Sequence, residues 1–203
     1  MSSVGVCNSI NLKGSVSIIK EFFNYCINNI LFQRGIYPSD SFTAVQNYGL
    51  TILMSKDERL KKYLQIIFDQ MQTFLLQRKL HRVVMALIRM DTKETIERWE
   101  FRIDCDKENI DDEKKIDVDL KVIQTQIRDL IRQITASITY LPLIDNPVSF
   151  DILFFTDKDT QLPSADWQDS ISHIIPNAEE VQLRSFNTKI HNLKASVAYK
   201  QNG

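Results

Sequence analysis

The stretch Ser185–Lys200 reads SFNTKIHNLKASVAYK. Leu193, Ala195, Val197 and Tyr199 alternate with polar residues at the two-residue period of a half-buried strand, and the same beat runs back through Val181 and Leu183. Two consecutive strands are predicted. Between them stands neither Asn-Gly nor Asp-Gly, and no Gly or Pro occurs from Val181 to Lys200, so the turn chemistry that ordinarily fixes a hairpin and its register is missing. The fold turns on what decides where these strands pair.

Working outward, 203 residues with 43% hydrophobic and 25% charged composition describe one globular domain with a real core, and five Gly and five Pro leave little material for a flexible linker. The net charge of -1 and the lack of a long Lys/Arg cluster give no field that would draw the chain onto nucleic acid or an anionic membrane. Apolar runs such as Val83–Ile88 are far too short for a bilayer, and the start MSSVGVCNSINLKGS lacks the apolar core of a secretory signal, which places the protein in cytoplasm or nucleus. Cys7, Cys26 and Cys105, odd in number and widely spaced, read as reduced thiols.

Val16, Ile19, Phe22, Phe23, Cys26, Ile27, Ile30 and Leu31 follow helical spacing up to Gly35 and Pro38. Ser55 with Glu58 reads as a capping box ahead of a second amphipathic stripe, Leu60, Tyr63, Leu64, Ile67, Met71, Phe74 and Leu75. Val83–Met90 and the alternating Trp99, Phe101, Ile103 and Cys105 predict a hairpin turning through Asp91–Thr95. The charged Lys107–Asp119 reads as a solvated, mobile loop. A third helix carries Leu120, Ile123, Ile127, Leu130, Ile131, Ile134 and Ile138 towards Pro142, and Val148–Phe155, VSFDILFF, is a nearly all-apolar strand. After it comes a long polar connection, Thr156–Glu180, and then the two strands with which the reading began. Helices that do not alternate regularly with strands predict an α+β fold: three long helices on one face of a mainly antiparallel sheet.

The residues carry no recognisable catalytic or metal motif. His81, His173 and His191 are too scattered for a zinc site. Asp104, Asp106 and Glu108 imitate the start of a calcium loop, but Asn109 stands where its glycine belongs and Lys115 where its bidentate glutamate belongs. No two glycines are close enough to cradle a phosphate. Cys26 and Cys105 fall on apolar faces, where a structural thiol is the default. Trp99 belongs in the sheet; Trp167, in a polar stretch, needs something to dock on. No enzyme and no cofactor are expected.

Seven segments, in order, resemble the HORMA-domain family and most nearly its spindle-checkpoint members: EFFNYCINNILFQRGIYP (Glu21–Pro38), FTAVQNYGLTIL (Phe42–Leu53), ERWEFRIDCDK (Glu97–Lys107), IRQITASITYLPLI (Ile131–Ile144), FDILFFTDKD (Phe150–Asp159), EEVQLRSF (Glu179–Phe186) and SVAYK (Ser196–Lys200). The resemblance implies a single HORMA domain over residues 10–203, a mobile amino-terminal segment 1–9 and a mobile carboxyl-terminal safety belt, 159–203. In that family the last strands have two homes. An open form lays them along one edge of the sheet; a closed form moves them to the opposite side and traps a partner peptide beneath the belt. A segment with two homes must alternate apolar residues yet carry no strong turn, as this one does.

The resemblance further implies a peptide-binding set of Phe150, Ile152, Leu153, Phe154, Phe155, Trp167, Val197 and Tyr199, and a self-association surface of Arg132, Gln133 and Arg184 where an open molecule meets a closed one. Periodicity alone reads Arg132 and Gln133 as a solvated helix face. The implied function is a spindle assembly checkpoint adaptor, acting in nucleus and cytoplasm and at the kinetochore in mitosis. Its implied partners are peptide motifs of a coiled-coil kinetochore adaptor and of the activator of the anaphase-promoting complex, the open–closed self-dimer, other HORMA proteins and a remodelling ATPase. The competing readings are a sibling HORMA adaptor, either a translesion-polymerase subunit or a meiotic axis protein, and an enzyme of unrecognised type.

Overall fold

The longest helix starts where the Asn11 side chain accepts the Gly14 N–H at 3.0 Å. It runs Leu12–Gln33 (α1), following a short strand Asn8–Ile10 (β1). The whole predicted stripe of α1, from Val16 to Leu31, is fully buried, so this helix is the centre of the core and not a surface helix. Gly35 ends it with a left-handed φ of 64°, and Ile36 N–H bonds back to the Leu31 carbonyl. In this computed structural model residues 8–106, 114–161, 164 and 167–201 are described.

A 3-10 turn, Ser39–Ser41, leads into the hairpin Phe42–Asn47 (β2) and Leu50–Ser55 (β3), which the sequence analysis did not anticipate. Its two-residue turn, Tyr48-Gly49, has positive φ at both positions, 51° and 68°, as a hairpin turn matched to strand twist requires. The second helix is Glu58–Leu76 (α2). Its cap is not Ser55 as expected but Asp57, whose carboxylate accepts the Leu60 N–H at 2.8 Å; Ser55 closes β3 and accepts the Asp57 N–H. Tyr63 also departs from the predicted stripe, being 39% exposed at the rim of the sheet.

Leu80–Arg89 (β4) and Thr95–Cys105 (β5) form the predicted hairpin. Residues 107–113 of the expected charged loop lie outside the described residues, but its end is not solvated coil: Ile116–Val118 (β6) pairs with β1, and Val118 is buried. Asp119 caps the third helix, Leu120–Ala136 (α3), through the Lys121 N–H. The helix then tightens into a 3-10 turn, Ser137–Thr139, which rotates Ile138 out of the predicted stripe and leaves it 44% exposed.

Val148–Thr156 (β7), Glu179–Asn187 (β8) and His191–Tyr199 (β9) complete an antiparallel five-stranded sheet in the order β7-β4-β5-β9-β8. Alternation sorts the side chains. Val83, Met85, Leu87, Trp99, Phe101, Leu193 and Val197 face the helices, where Phe22 and Phe23 of α1 meet Phe101 edge-on at 6.0 and 5.1 Å. The opposite side carries a smaller apolar strip of Val84, Ala86, Ile88 and Leu153 with Phe155. Three helices on one side of a mainly antiparallel sheet are the α+β layout that the sequence predicts.

Candidate functional site

The two borders of this sheet are treated differently. On the β8 border, side chains of α3 cover the strand: Gln126 Oε1 accepts the Asn187 N–H at 3.0 Å and Gln133 Oε1 accepts the Arg184 N–H at 2.6 Å. On the β7 border no strand pairs among the described residues, so the outward backbone groups of β7 are available to an added strand.

Phe150, Ile152 and Phe154 of β7 point to the helix side and are half-buried. Phe150 lies edge-on to Tyr37 and Tyr63, at 6.5 and 5.9 Å; Phe154 meets Phe74 at 6.1 Å and is stacked by Trp167 at 5.4 Å. Trp167 thus docks within its own chain. Leu153 and Phe155 point to the other side, where the Arg82 guanidinium lies 4.8 Å from the Phe155 ring centre and Asp151 is exposed. Burial, then the charges of Asp151 and of Tyr37, raise the pKa of the Tyr63 hydroxyl, which stays protonated as a donor at this rim. The border is an apolar, aromatic ledge with one carboxylate.

The described parts of the connection from β7 to β8 lie on both sides of that ledge. The chain leaves β7 tied to the start of β4: Asp157 N–H bonds to the Lys79 carbonyl at 3.1 Å and its carboxylate meets His81 at 2.7 Å. Trp167 is on the helix side, against Phe154, whereas five residues later the Ser172 carbonyl accepts from Arg98 Nε at 3.3 Å on the other side of the sheet. His173 and Ile175 are buried there, and the chain then enters β8 at the opposite border. The described ends of the connection are thus both held against the sheet, one beside the start of β4 and the other across β5.

The register of the β8–β9 hairpin, the question raised by Ser185–Lys200, is settled from outside the hairpin. Lys189 takes the left-handed position, φ 67°, that glycine would usually occupy. Thr188 N–H bonds to the His191 carbonyl while Thr188 Oγ1 accepts the His191 N–H, both at 2.9 Å. Ser15 of α1 meets Thr188 Oγ1 at 2.6 Å and His191 Nδ1 at 2.7 Å, all in the interior. A buried polar cluster spanning most of the chain's length does the work of a turn sequence.

Of the predicted peptide-binding set, Phe150, Ile152, Leu153, Phe154, Phe155 and Trp167 come together at the β7 border. Val197 and Tyr199 do not: they sit on β9 opposite Trp99 and Glu97, separated from β7 by β4 and β5. Their alternation marks them as sheet core, which is a correction to the predicted lining. Arg132 is exposed on α3; Gln133 is engaged with β8; Arg184, 66% exposed, lies 3.4 Å from Asp129.

A buried ion pair stands outside the residues singled out from the sequence. Arg34 and Glu97, 5% and 2% exposed, meet at 2.9 Å; Trp99 Nε1 donates to Glu97 at 2.7 Å and Arg34 donates to the Pro142 carbonyl at 2.6 Å. Burial pushes the Glu97 carboxyl up, opposed by Arg34 and the Trp99 indole. The available signal was parity: Glu97 shares the inward beat of Trp99, Phe101 and Ile103.

The HORMA domain profile matches residues 15–191 of the chain. The chain is 47% identical over 191 residues to the human mitotic spindle assembly checkpoint protein MAD2A, covering 94% of this chain and 93% of the relative. It is 40% identical to the mitotic spindle checkpoint component mad2 of Schizosaccharomyces pombe over the full length of both chains. Among solved structures, a chain of a mitotic checkpoint complex superposes with a TM-score of 0.83 at 38% identity, covering 93% of this chain and all of that one. At 13% identity HTP-2 of C. elegans, solved bound to the HIM-3 closure motif, shares the fold with a TM-score of 0.77, covering 95% of this chain and 92% of that one. The chain belongs to the HORMA domain family, among the spindle checkpoint proteins of the MAD2 type.

Proposed function

We propose that the chain is a spindle assembly checkpoint adaptor that captures a short, extended peptide as an added strand on β7 and holds it beneath its carboxyl-terminal belt, 159–203, whose first part is the strap that follows β7. The observation that carries this reading is the contrast of borders: β8 is capped by α3, while β7 presents an aromatic edge that no strand pairs among the described residues and on which Trp167 of the following segment is stacked. The chain of the mitotic checkpoint complex and the closure-motif complex of HTP-2 support it by likeness. The hairpin on the β5 side, with β7 free, corresponds to the closed arrangement; the open arrangement would lay the hairpin on β7 and exclude the peptide. A peptide then selects the closed form only through its differential affinity for the two.

The partners that fit are segments with a basic residue, spaced apolar residues and a later proline, carried by the coiled-coil kinetochore adaptor and by the activator of the anaphase-promoting complex. Sequestering that activator delays anaphase, and no reaction at the bound site is needed. Self-association of open with closed molecules through Arg132, Gln133 and Arg184, regulation by other HORMA proteins and a remodelling ATPase, and residence in nucleus, cytoplasm and mitotic kinetochore complete the proposal. The working unit is the domain 10–203 with its belt, 159–203. The amino-terminal segment 1–9 overlaps β1 at Asn8 and Ser9, and residues 1–7 lie outside the described residues.

Amide exchange with and without a checkpoint-adaptor peptide tests the reading. Protection should rise along β7 and the strap, and change with it in the residues before Lys13. Capture of a translesion-polymerase peptide in preference to the checkpoint peptide would favour the sibling adaptor; unchanged exchange with either would remove the proposal.

A further inference from the structure

We infer that His173 is the buckle of the strap, a positioning residue that sets how long a captured peptide stays on β7; the inference rests on the peptide-capture reading above. His173 is 8% exposed, yet its neighbours Ile171 and Ile174 are 71% and 73% exposed. Those two apolar side chains face solvent while the imidazole, with Ile175, faces the protein, so a polar ring is buried where two isoleucines are not. The backbone at His173 accounts for the inversion: φ is 51°, in the left-handed region that non-glycine residues seldom occupy and that persists only where surrounding contacts hold it.

Those contacts span the sheet. Nδ1 of His173 lies 2.8 Å from Thr95 Oγ1 at the start of β5, and Nε2 lies 3.7 Å from Asp151 Oδ2 on β7. The Thr95 hydrogen bond fastens the ring to β5, and the approach to Asp151 places it over β7 as well, with β4 between. Arg98, donating to the Ser172 carbonyl at 3.3 Å, holds the residue before it. The strap's other end is held at Lys79 and His81. A peptide between these two points leaves only when one of them opens, and the buckle is the point held by side-chain contacts on the strap's exposed crossing. Releasing His173 should shorten retention without touching Phe150 and Phe154, the aromatic side chains of the ledge that give affinity.

The test is the dissociation rate of a fluorescein-labelled extended peptide, carrying a lysine, alternating leucines and valines and a distal proline, chased from the full chain by unlabelled peptide. His173→Ala and Thr95→Val should each speed dissociation about fivefold, the change that follows from one lost hydrogen bond. The double variant should be no faster than His173→Ala alone, since that substitution already removes the contact that Thr95→Val removes. His173→Asn, which tolerates the left-handed backbone and keeps a polar group near the Nδ1 position, should stay close to the wild-type rate. Amide exchange of β4 and β5 should be alike in all, marking an intact sheet. Unchanged dissociation in His173→Ala, or a double variant equal to the product of the singles, would overturn the buckle while leaving capture standing. A wild-type chain that does not hold the peptide would remove both.

Discussion

Acid should loosen the β8–β9 hairpin through a single imidazole. His191 is 2% exposed, its Nδ1 bonds to Ser15 Oγ, and its Nε2 has no partner among the described residues. Burial, helped by the nearby Arg78 charge, holds its pKa down at about 4. In the unfolded chain the ring takes up a proton near about 6.5. Between these values the unfolded state binds more protons, so this contribution to stability is complete above the unfolded value and is lost as pH falls towards the folded one. The gap of roughly two and a half pH units amounts to about 3.5 kcal/mol at about 1.4 kcal/mol per unit. That is a large part of a typical domain's ~5–15 kcal/mol.

Urea unfolding of the wild type and of His191→Gln, each at neutral pH and again near pH ~4, reads the effect. Every carboxylate is common to both proteins, so the difference between the two pH dependences isolates His191. The wild type should lose about 2–3 kcal/mol more than the variant over this range. Parallel curves would show that the ring is solvated or protonated at little cost, and the account of the buried cluster would be wrong.

Arg132→Glu should abolish self-association and leave peptide capture intact; dimers persisting on size-exclusion chromatography would count against the α3 surface. Glu97→Gln strands the Arg34 guanidinium in the core and should cost about 3–5 kcal/mol in chemical unfolding, the usual result of removing one member of a buried pair. Asp119→Ala removes the α3 cap and should cost about 1 kcal/mol by the same measurement. Gln133→Ala should speed amide exchange at Arg184 on the β8 border while β5 is unaffected.

What was legible in the sequence had a local cause. The stripe of α1 and the beat of β5 and β9 declare themselves because a helix or strand repeats its environment every few residues. The strand β7 was legible too, because Phe150–Phe155 carries apolar residues on both faces, broken only by Asp151. The misreadings arose where two local signals competed or the cause was distant. Ser55 and Asp57 can both cap, and geometry chose the aspartate. Val197 and Tyr199 alternate correctly for a strand, but alternation does not name the neighbouring strand. The hairpin's register depends on Ser15, at the far end of the chain, and the turning-in of His173 depends on Thr95 and Asp151. No window of sequence contains those partners.

The arithmetic of the β7 border explains why a strap accompanies it. About four added backbone hydrogen bonds at ~1 kcal/mol each give about 4 kcal/mol, a millimolar affinity at best. Two apolar side chains seated on the ledge beside Phe150 and Phe154, at ~2 kcal/mol each, bring this to about 8 kcal/mol, or micromolar, before the extended peptide's ordering is deducted. An edge of this kind binds readily and releases readily. Long retention has to come from the barrier to leaving, and a chain segment tied to Lys79 and His81 at one end and to Thr95, Arg98 and Asp151 at the other supplies one. In the proposed capture, affinity would lie in the ledge and lifetime in the strap, so substitutions at Phe150 or Phe154 should weaken binding at equilibrium, whereas substitutions at the strap's fastenings should act on the rates of opening.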